Sequence, residues 1–392
     1  MGRVHVTHLS LLDFRNYETA EIELTAGPNL FVGRNGQGKT NLVEAIGYLS
    51  TVGSHRVSSD QALIRQGQDS AIVRAKVAHE TRELLVEVQL NRGAANRAQV
   101  NRGAIKPREL PRYFSSVLFA PEDLALVRGE PGVRRRFLDQ LLILRAPRLA
   151  GVMADYERTL KQRNTLLKSA RSSGLRDTQL NTLEIWDERL VAFGSEIIDE
   201  RRSLVSELSS PVRAAYRSVA GEDHSPRLLP QLSILGADAE ESEVPTHSDE
   251  AVEAAGETPQ LFRDALARVR RAELDRGLTL VGPHRDDVVF ELNFLPAKGY
   301  ASHGESWSFA LALKLASAEL LREDSAAGDP VLILDDVFAE LDQGRRRMLA
   351  SAVHDYEQVL ITAAVYEDVP EELRAHTVRI NAGRIEATPS VP

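Results

Sequence analysis

Apolar and polar residues alternate over 3–9 and again over 19–24, a period of two that predicts a pair of half-buried strands. The apolar triplet Leu30-Phe-Val32 predicts a third. Directly after it, GRNGQGKTNLVEAIGYLS turns from glycine-rich to helix-periodic. Alternation returns at 71–77 and 84–90, spaced as a hairpin, and Val117-Leu-Phe119 reads as one more strand. This part of the chain is expected to be mixed α/β with much antiparallel sheet.

From about 133 the period lengthens. Leu149, Met153, Tyr156, Leu160 and Leu167 keep 4-3 spacing, with Arg163 in the remaining seam position. Leu183, Trp186, Leu190, Phe193, Ile197 and Leu204 repeat the pattern beyond the loop-like SARSSGLRDTQ. Two long helices are predicted, forming an antiparallel arm of about 40 residues per leg, or else a pair buried in a helical subdomain. Strand character resumes at 229–235, 259–275 reads as a charged helix, and LTLVGPHRDDVVFELNF suggests two strands around a turn. VLILDDVFAELD is a buried strand running into polar residues, followed by a helix at 344–356, a strand at 359–364 and a frayed tail from 385. The expected division is 1–130 and 301–392 as the two halves of one head, with 131–225 as the arm and 226–300 as the rest of a second lobe.

A chain of 392 residues is expected to fold as two or three lobes rather than around one core. It has no cysteine, which removes disulfides and thiolate metal sites and suits a reducing cytoplasm. No signal-like or membrane-length apolar run is present, so a cytoplasmic protein is expected. The net charge of −9 argues at first against nucleic acid. However, 237–257 carries eight carboxylates and no Lys or Arg and reads as a disordered loop; without it the balance is −9 + 8 = −1. Overall charge therefore does not exclude DNA.

Gly33-Arg-Asn-Gly-Gln-Gly38-Lys39-Thr40 matches G-x-x-x-x-G-K-[ST] with a strand before it and a helix after it. In such a loop the backbone N–H groups wrap phosphates and the helix end adds positive potential. Gly33, Arg34, Asn35, Gly36, Gln37, Gly38, Lys39, Thr40 and Asn41 are therefore the candidate nucleoside-triphosphate contacts. Lys39 reaches toward the β- and γ-phosphates, and the Thr40 hydroxyl is placed for Mg²⁺. A P-loop needs an acid on a neighbouring strand, and Val331-Leu-Ile-Leu-Asp335-Asp336 supplies two at a strand's C-terminal end. Asp335 is the candidate Mg²⁺ ligand, acting through water. Asp336, with Lys39, is the candidate catalytic residue, facing the position of an attacking water. About 295 residues separate the two motifs, which implies a large insertion. Ser302 and Gly304 open an apolar helix with a hydroxyl and free N–H groups, a second anion site on a chain that already has one.

S-x-G-[QE] at a helix start, a strand ending in two acids, and Ala339-Glu340-Leu341-Asp342 together resemble the signature motif, Walker B and D-loop of the ABC ATPase superfamily. Within it, Phe14-Arg-Asn-Tyr17, Ser54-His-Arg56, Pro121-Glu-Asp-Leu124, Arg134-Arg-Arg-Phe-Leu-Asp139 and Gly282-Pro-His-Arg-Asp-Asp287 come in an order similar to that of the RecF family, over nearly the full chain. The resemblance implies an ABC/SMC/Rad50-like α/β head with a mixed sheet and a second lobe carrying a short antiparallel helical arm. It also implies an ATP-dependent homodimer in which Ser302, Gly304 and Glu305 meet the other copy's nucleotide, with Arg15, Asn16 and Arg56 as further nucleotide contacts. Weak DNA-stimulated ATPase activity, action with RecO- and RecR-type proteins in loading recombinase at gaps, and support of replication recovery and the SOS response are implied in the same way. The chain departs from the superfamily pattern at three places: Glu305 replaces the common Gln, Asp336 the Glu of transporters, and Thr362 their His. His284 and Arg285 suit either bracing of the signature helix or capping of a turn.

The best DNA candidates are in the basic stretch 91–112, with six Arg/Lys against one Glu: Arg92, Arg97, Arg102, Lys106 and Arg108. The arm adds Arg158, Lys161, Arg163 and Lys168. No base-reading motif is present, so sequence-independent binding of single-stranded or gapped DNA is expected. A Rad50/SMC-like DNA-end or chromosome head is the alternative, although Rad50-type heads carry a very long coiled coil with a cysteine hook. A transporter ATPase would need a Gln loop and switch His, and a small-molecule kinase leaves Ser302–Glu305 without a role.

Overall fold

The computed structural model describes residues 4–79, 82–173, 181–236, 257–325, 328–381 and 383–386. All but the last residue of the acidic stretch 237–257, most of the loop between the two long helices and nearly all of the tail lie outside them. The chain divides into two compact units. One comprises Met1–Leu124, Ser210–Asp223 and Ser302–Pro392, the other Ala125–Ser209 and His224–Ala301.

The elements of the first unit's N-terminal part are β1 (Val4–Phe14), β2 (Tyr17–Glu23), β3 (Gly27–Val32), α1 (Lys39–Thr51), β4 (Ser70–His79), β5 (Arg82–Asn91), β6 (Arg97–Val100), β7 (Gly103–Ile105) and β8 (Ser116–Phe119). The short α2 (Leu124–Arg128) leads on to α3 (Pro131–Arg145), α4 (Leu149–Ser173), α5 (Asn181–Ala220), β9 (Arg227–Gln231), α6 (Thr258–Arg276), β10 (Asp287–Leu292), β11 (Leu295–Pro296) and α7 (Ala297–Tyr300). The first unit resumes with α8 (His303–Asp324), β12 (Val331–Asp335), α9 (Gln343–Val353), β13 (Gln358–Ala363), β14 (His376–Asn381) and β15 (Arg384–Glu386).

Two six-stranded sheets build the first unit. One is antiparallel, in the order β2-β1-β4-β5-β6-β7. The other runs β15-β14-β3-β13-β12-β8 and is parallel except for its edge strand β15. Helix α1 lies between them: Leu42, Val43, Ile46 and Leu49 share one core with Leu9 and Leu11 of β1, Ile333 of β12 and Leu360 of β13. Burying each such side chain contributes roughly 1.5–3 kcal/mol. The inward face of β1 switches from Val4 and Val6 to Leu9 and Leu11, and a register shift between Val6 and His8 accounts for it. The parallel strands are apolar on both faces, as β12 shows with every residue buried.

In the second unit α4 and α5 run antiparallel. Arg148 pairs with Glu196 and Glu200, Tyr156 packs on Gly194, and Arg163 pairs with Asp187, so contacts climb one helix as they descend the other. The legs differ from the expected arm: α4 has 25 residues and α5 has 40, the last of which belong to the first unit. The pair is not free in solvent either. Helix α6 packs beside it, with Phe262 and Leu266 in one cluster with Tyr156 and Ile197. Arg163, considered above as an arm cation for DNA, is fully buried. It donates to Asp187 at 2.6 Å, Glu273 at 2.6 Å and Thr279 at 2.8 Å. A buried guanidinium with two carboxylate partners is a structural pair, since removing either carboxylate leaves buried charge under-compensated.

Of the two strands expected around a turn in 278–294, the second forms as β10, but the first does not: 278–286 is a largely buried turn. Arg134 forms a two-bond pair with Asp287 at 2.7 Å, Arg135 donates to the Asp286 carbonyl at 2.7 Å, and Arg201 joins Asp139 to the Pro283 carbonyl. The two charged motifs 134–139 and 282–287 therefore lock to each other. His284 hydrogen-bonds the Tyr156 hydroxyl at 2.7 Å, which gives it a packing role.

Burial shifts two titrations here in opposite senses. His284 is pushed down from 6.5 to about 4, so its contribution to stability is present above pH 6.5 and lost as pH falls through about 4. Asp286 is pushed up from 3.8 to about 6, so its contribution is present below pH 3.8 and lost as pH rises through about 6. Between about pH 4 and 6 the two slopes oppose each other. In urea titrations, Asp286→Asn is expected to lose stability on acidification below pH 6.5, by at most about 1.4 kcal/mol per pH unit, while the parent stays flatter. Equal slopes would contradict the assignment.

Candidate nucleotide-binding site

The parallel strands β3, β13, β12 and β8 end on the same edge of their sheet, where ligands bind in open α/β folds. Residues Gly33 to Gly38 turn from β3 into α1 there, with Arg34, Asn35 and Gly36 exposed and Gly38 buried. Gly38 has φ 110°, and a Cβ on it would stand 2.7 Å from the Tyr17 hydroxyl and 2.8 Å from the Asn16 amide, so glycine is required twice over. No side chain caps the N-terminus of α1 and its first turn holds no acid, which leaves its positive end turned to the loop. Lys39 is 3% exposed, its ammonium 3.4 Å from the Arg34 carbonyl.

Asp335 closes the site from β12. The Thr40 hydroxyl donates to its Oδ1 at 2.9 Å, bringing together residues 295 apart in the chain. Thr362, the residue level with Asp335 on the intervening strand β13, donates to the same oxygen at 2.6 Å. His55 Nε2 stands 3.8 Å from Oδ2. Asp336 follows in the left-handed region, φ 52°, with its N–H donating to the Thr362 hydroxyl at 2.9 Å. Its buried Oδ1 has no hydrogen-bond partner among the described residues. Burial raises the Asp336 pKa against the pull of Lys39, and the Asp335 and Glu122 carboxylates add to the rise. A hydroxyl and a carboxylate at a phosphate loop fit a hard cation that takes its other ligands from phosphate and water, and the unpartnered Asp336 oxygen is free to accept a proton.

Arg15, Asn16 and Arg56 stand behind this loop. Arg15 makes a two-bond pair with buried Glu44 at 2.6 and 2.9 Å, and Arg56 donates to Asn41 at 2.9 Å and lies 3.5 Å from Glu44. Asn16 accepts from Asn41 at 2.7 Å and reaches the Gln37 carbonyl at 3.4 Å. These side chains buttress the loop and α1. The Arg15 pairing in particular could not be foreseen, because Glu44 on the helix carries no sign of its partner.

Ser302 caps α8 in a capping box: its hydroxyl accepts from the Glu305 N–H at 3.2 Å, and its own N–H donates to the Glu305 carboxylate at 2.7 Å. Glu305 thus turns back onto its own helix. A Cβ on Gly304 would stand 2.5 Å from the Arg345 guanidinium, which comes from α9 and would have to move aside. Helix α8 beyond this end is core, with Trp307, Phe309, Leu311 and Leu313 buried. Loop 121–124 is tied to the same helix through Asp123 and Lys314, 3.0 Å apart.

On the antiparallel sheet, Arg92, Arg97, Arg102, Lys106 and Arg108 are all exposed around the β6–β7 edge. Arg92 is tethered to the Gln68 carbonyl at 3.1 Å, and none of the other four forms an ion pair among the described residues.

Residues 5–383 match the family model described as the RecF/RecN/SMC N terminal domain. The chain is 74% identical to the DNA replication and repair protein RecF of Leifsonia xyli subsp. xyli, over 97% of this chain and 99% of that one. It is 66% identical to the RecF of Clavibacter michiganensis subsp. michiganensis, over 98% and 96% of the two. Its fold is similar to a solved structure of the recombination mediator RecF-ATP of the RecFOR pathway, with TM-score 0.84, 27% identity and coverage of 98% and 97%.

Proposed function

Since the chain belongs to the RecF family of DNA replication and repair proteins, we propose that it is a recombination mediator switched by ATP, which closes two copies around DNA. The observation that carries this is the 2.9 Å bond between Thr40 and Asp335, which brings the glycine-rich turn and the acidic strand from the two ends of the chain together, as a triphosphate site requires. In this reading the N–H groups of residues 33–40 and the Lys39 ammonium hold the phosphates. Thr40, and Asp335 through water, would hold Mg²⁺, which would neutralise charge on the phosphate oxygens. In hydrolysis a water oxygen bonds to the γ-phosphorus as the bond to the bridging oxygen breaks. That bond's electron pair leaves with ADP, and Asp336 takes the water's proton. An aspartate at this place reaches less far than a glutamate, which suits slow turnover.

The second half of the mechanism is association. Ser302 and Gly304 meet the γ-phosphate on another copy, so ATP favours the closed dimer by binding it better than the open state. The exposed basic edge then contacts DNA phosphates without reading bases. Partners of the RecO and RecR type, recombinase loading at gaps, support of the SOS response and a cytoplasmic location belong to the same proposal. No described helix is long and apolar enough to cross a membrane.

The test is affinity for gapped DNA by fluorescence anisotropy, with and without ATP and Mg²⁺. Tighter binding with ATP supports the switch, and equal binding contradicts it. In the same assay Arg97→Glu with Arg102→Glu is expected to weaken binding at least about tenfold and to flatten the plot of log affinity against log salt by about one to two units. An unchanged slope would remove the β6–β7 edge as the contact.

A further inference from the structure

We propose that Thr362 is a positioning residue for ATP hydrolysis, holding both acids of the site through one hydroxyl. The proposal rests on the ATPase reading above and extends it to a residue on β13, the strand that separates the P-loop strand β3 from the acidic strand β12. Thr362 is fully buried. Its register partners are Asp335 on one side and Phe31 on the other, so its side chain is set by two neighbouring strands rather than by a loop. A hydroxyl has one proton to give and lone pairs to receive. Here the proton goes to Asp335 Oδ1 at 2.6 Å and a lone pair receives the Asp336 N–H at 2.9 Å.

Each bond has a distinct consequence. With Thr40 also donating at 2.9 Å, Oδ1 of Asp335 is fixed as a pure acceptor and the carboxylate is held toward the P-loop. The bond to the Asp336 N–H supports a left-handed conformation, φ 52°, which costs a non-glycine residue energy that its surroundings must offset. That conformation aims the Asp336 carboxylate, whose Oδ1 is otherwise without a hydrogen-bond partner among the described residues. Valine matches threonine in shape and forms neither bond, so it loosens both acids at once without removing either. Misplacing a reacting group by about an ångström costs on the order of 100-fold in rate.

The experiment compares parent, Thr362→Val, Thr362→Ala and Thr362→Ser for ATP affinity, for kcat and KM of DNA-stimulated hydrolysis, and for melting temperature. The expected result is a fall in kcat of at least about tenfold in Val and Ala, with KM and ATP affinity within about threefold of the parent. Ser, which keeps the hydroxyl, is expected to stay close to the parent. The proposal is overturned if Val or Ala turns over like the parent, if Ser is as slow as Val, or if kcat falls only in chains that have also lost ATP affinity or melt early. A parent that binds no ATP would overturn the underlying reading. A parent that hydrolyses ATP at the same rate as Val and Ala would overturn this proposal alone.

Discussion

Lys39→Ala is expected to slow phosphate release from ATP by at least about 100-fold, the scale on which removal of one preorganised electrostatic group acts. The reason lies in what surrounds the ammonium. It is 3% exposed, it is 3.4 Å from the Arg34 carbonyl of its own loop, and its charge lowers the pKa of Asp336 against burial and the neighbouring acids. In the proposed site, alanine removes the cation that would face the γ-phosphate. It also removes the charge that lowers the Asp336 pKa, so burial and the neighbouring carboxylates then raise that pKa unopposed by Lys39. Steady-state phosphate release with saturating DNA reads the first effect. Parent-like turnover would mean that the triphosphate lies elsewhere.

Ser302→Arg is expected to abolish ATP-driven association while leaving ATP bound to the chain's own P-loop. The substitution removes the hydroxyl that accepts the Glu305 N–H, at a cost of about 1 kcal/mol in helix stability, and puts a long cation where the other copy's phosphate would approach. The buried remainder of α8 anchors the helix, so the chain is expected to fold. Sedimentation velocity reads the association and a fluorescent ATP analogue reads the nucleotide. An associating Ser302→Arg chain would show that this helix end does not meet the nucleotide.

Much of the fold was legible because local pattern and tertiary environment agree. The alternation at 71–77 and 84–90 became β4 and β5, and the apolar run before Asp335 became a strand buried on every residue. The turn from β3 into α1 was legible because its glycines and the helix start at Lys39-Thr40 answer to one local geometry. The features misread or missed depend on partners distant in sequence. Arg163 in the seam of an apolar repeat looked like a cation available to DNA until Glu273 and Thr279, more than a hundred residues on, were found against it. Thr362 was seen only as the absence of a histidine, and its bonds to Asp335 and Asp336 require the strand order β3-β13-β12. Glu305 shows a different limit. S-x-x-E is a capping signature in its own right, and the same four residues read as an anion site or as a closed cap according to whether a partner is expected.

In the proposed dimer Glu305 also defines what association would have to overcome. Its carboxylate accepts the Ser302 N–H at 2.7 Å, so a phosphate arriving from another copy must displace a like charge from that helix end. Association should then require the full triphosphate and its cation, with ADP too weak to drive it.

The most direct measurement is the mass of the parent chain by light scattering, with no nucleotide, with ADP, and with ATP, Mg²⁺ and gapped DNA. The expected protein mass is the 43.3 kDa of one chain without nucleotide or with ADP, and twice that with ATP. A chain that stays at 43.3 kDa with ATP, Mg²⁺ and DNA at high protein concentration would contradict the clamp.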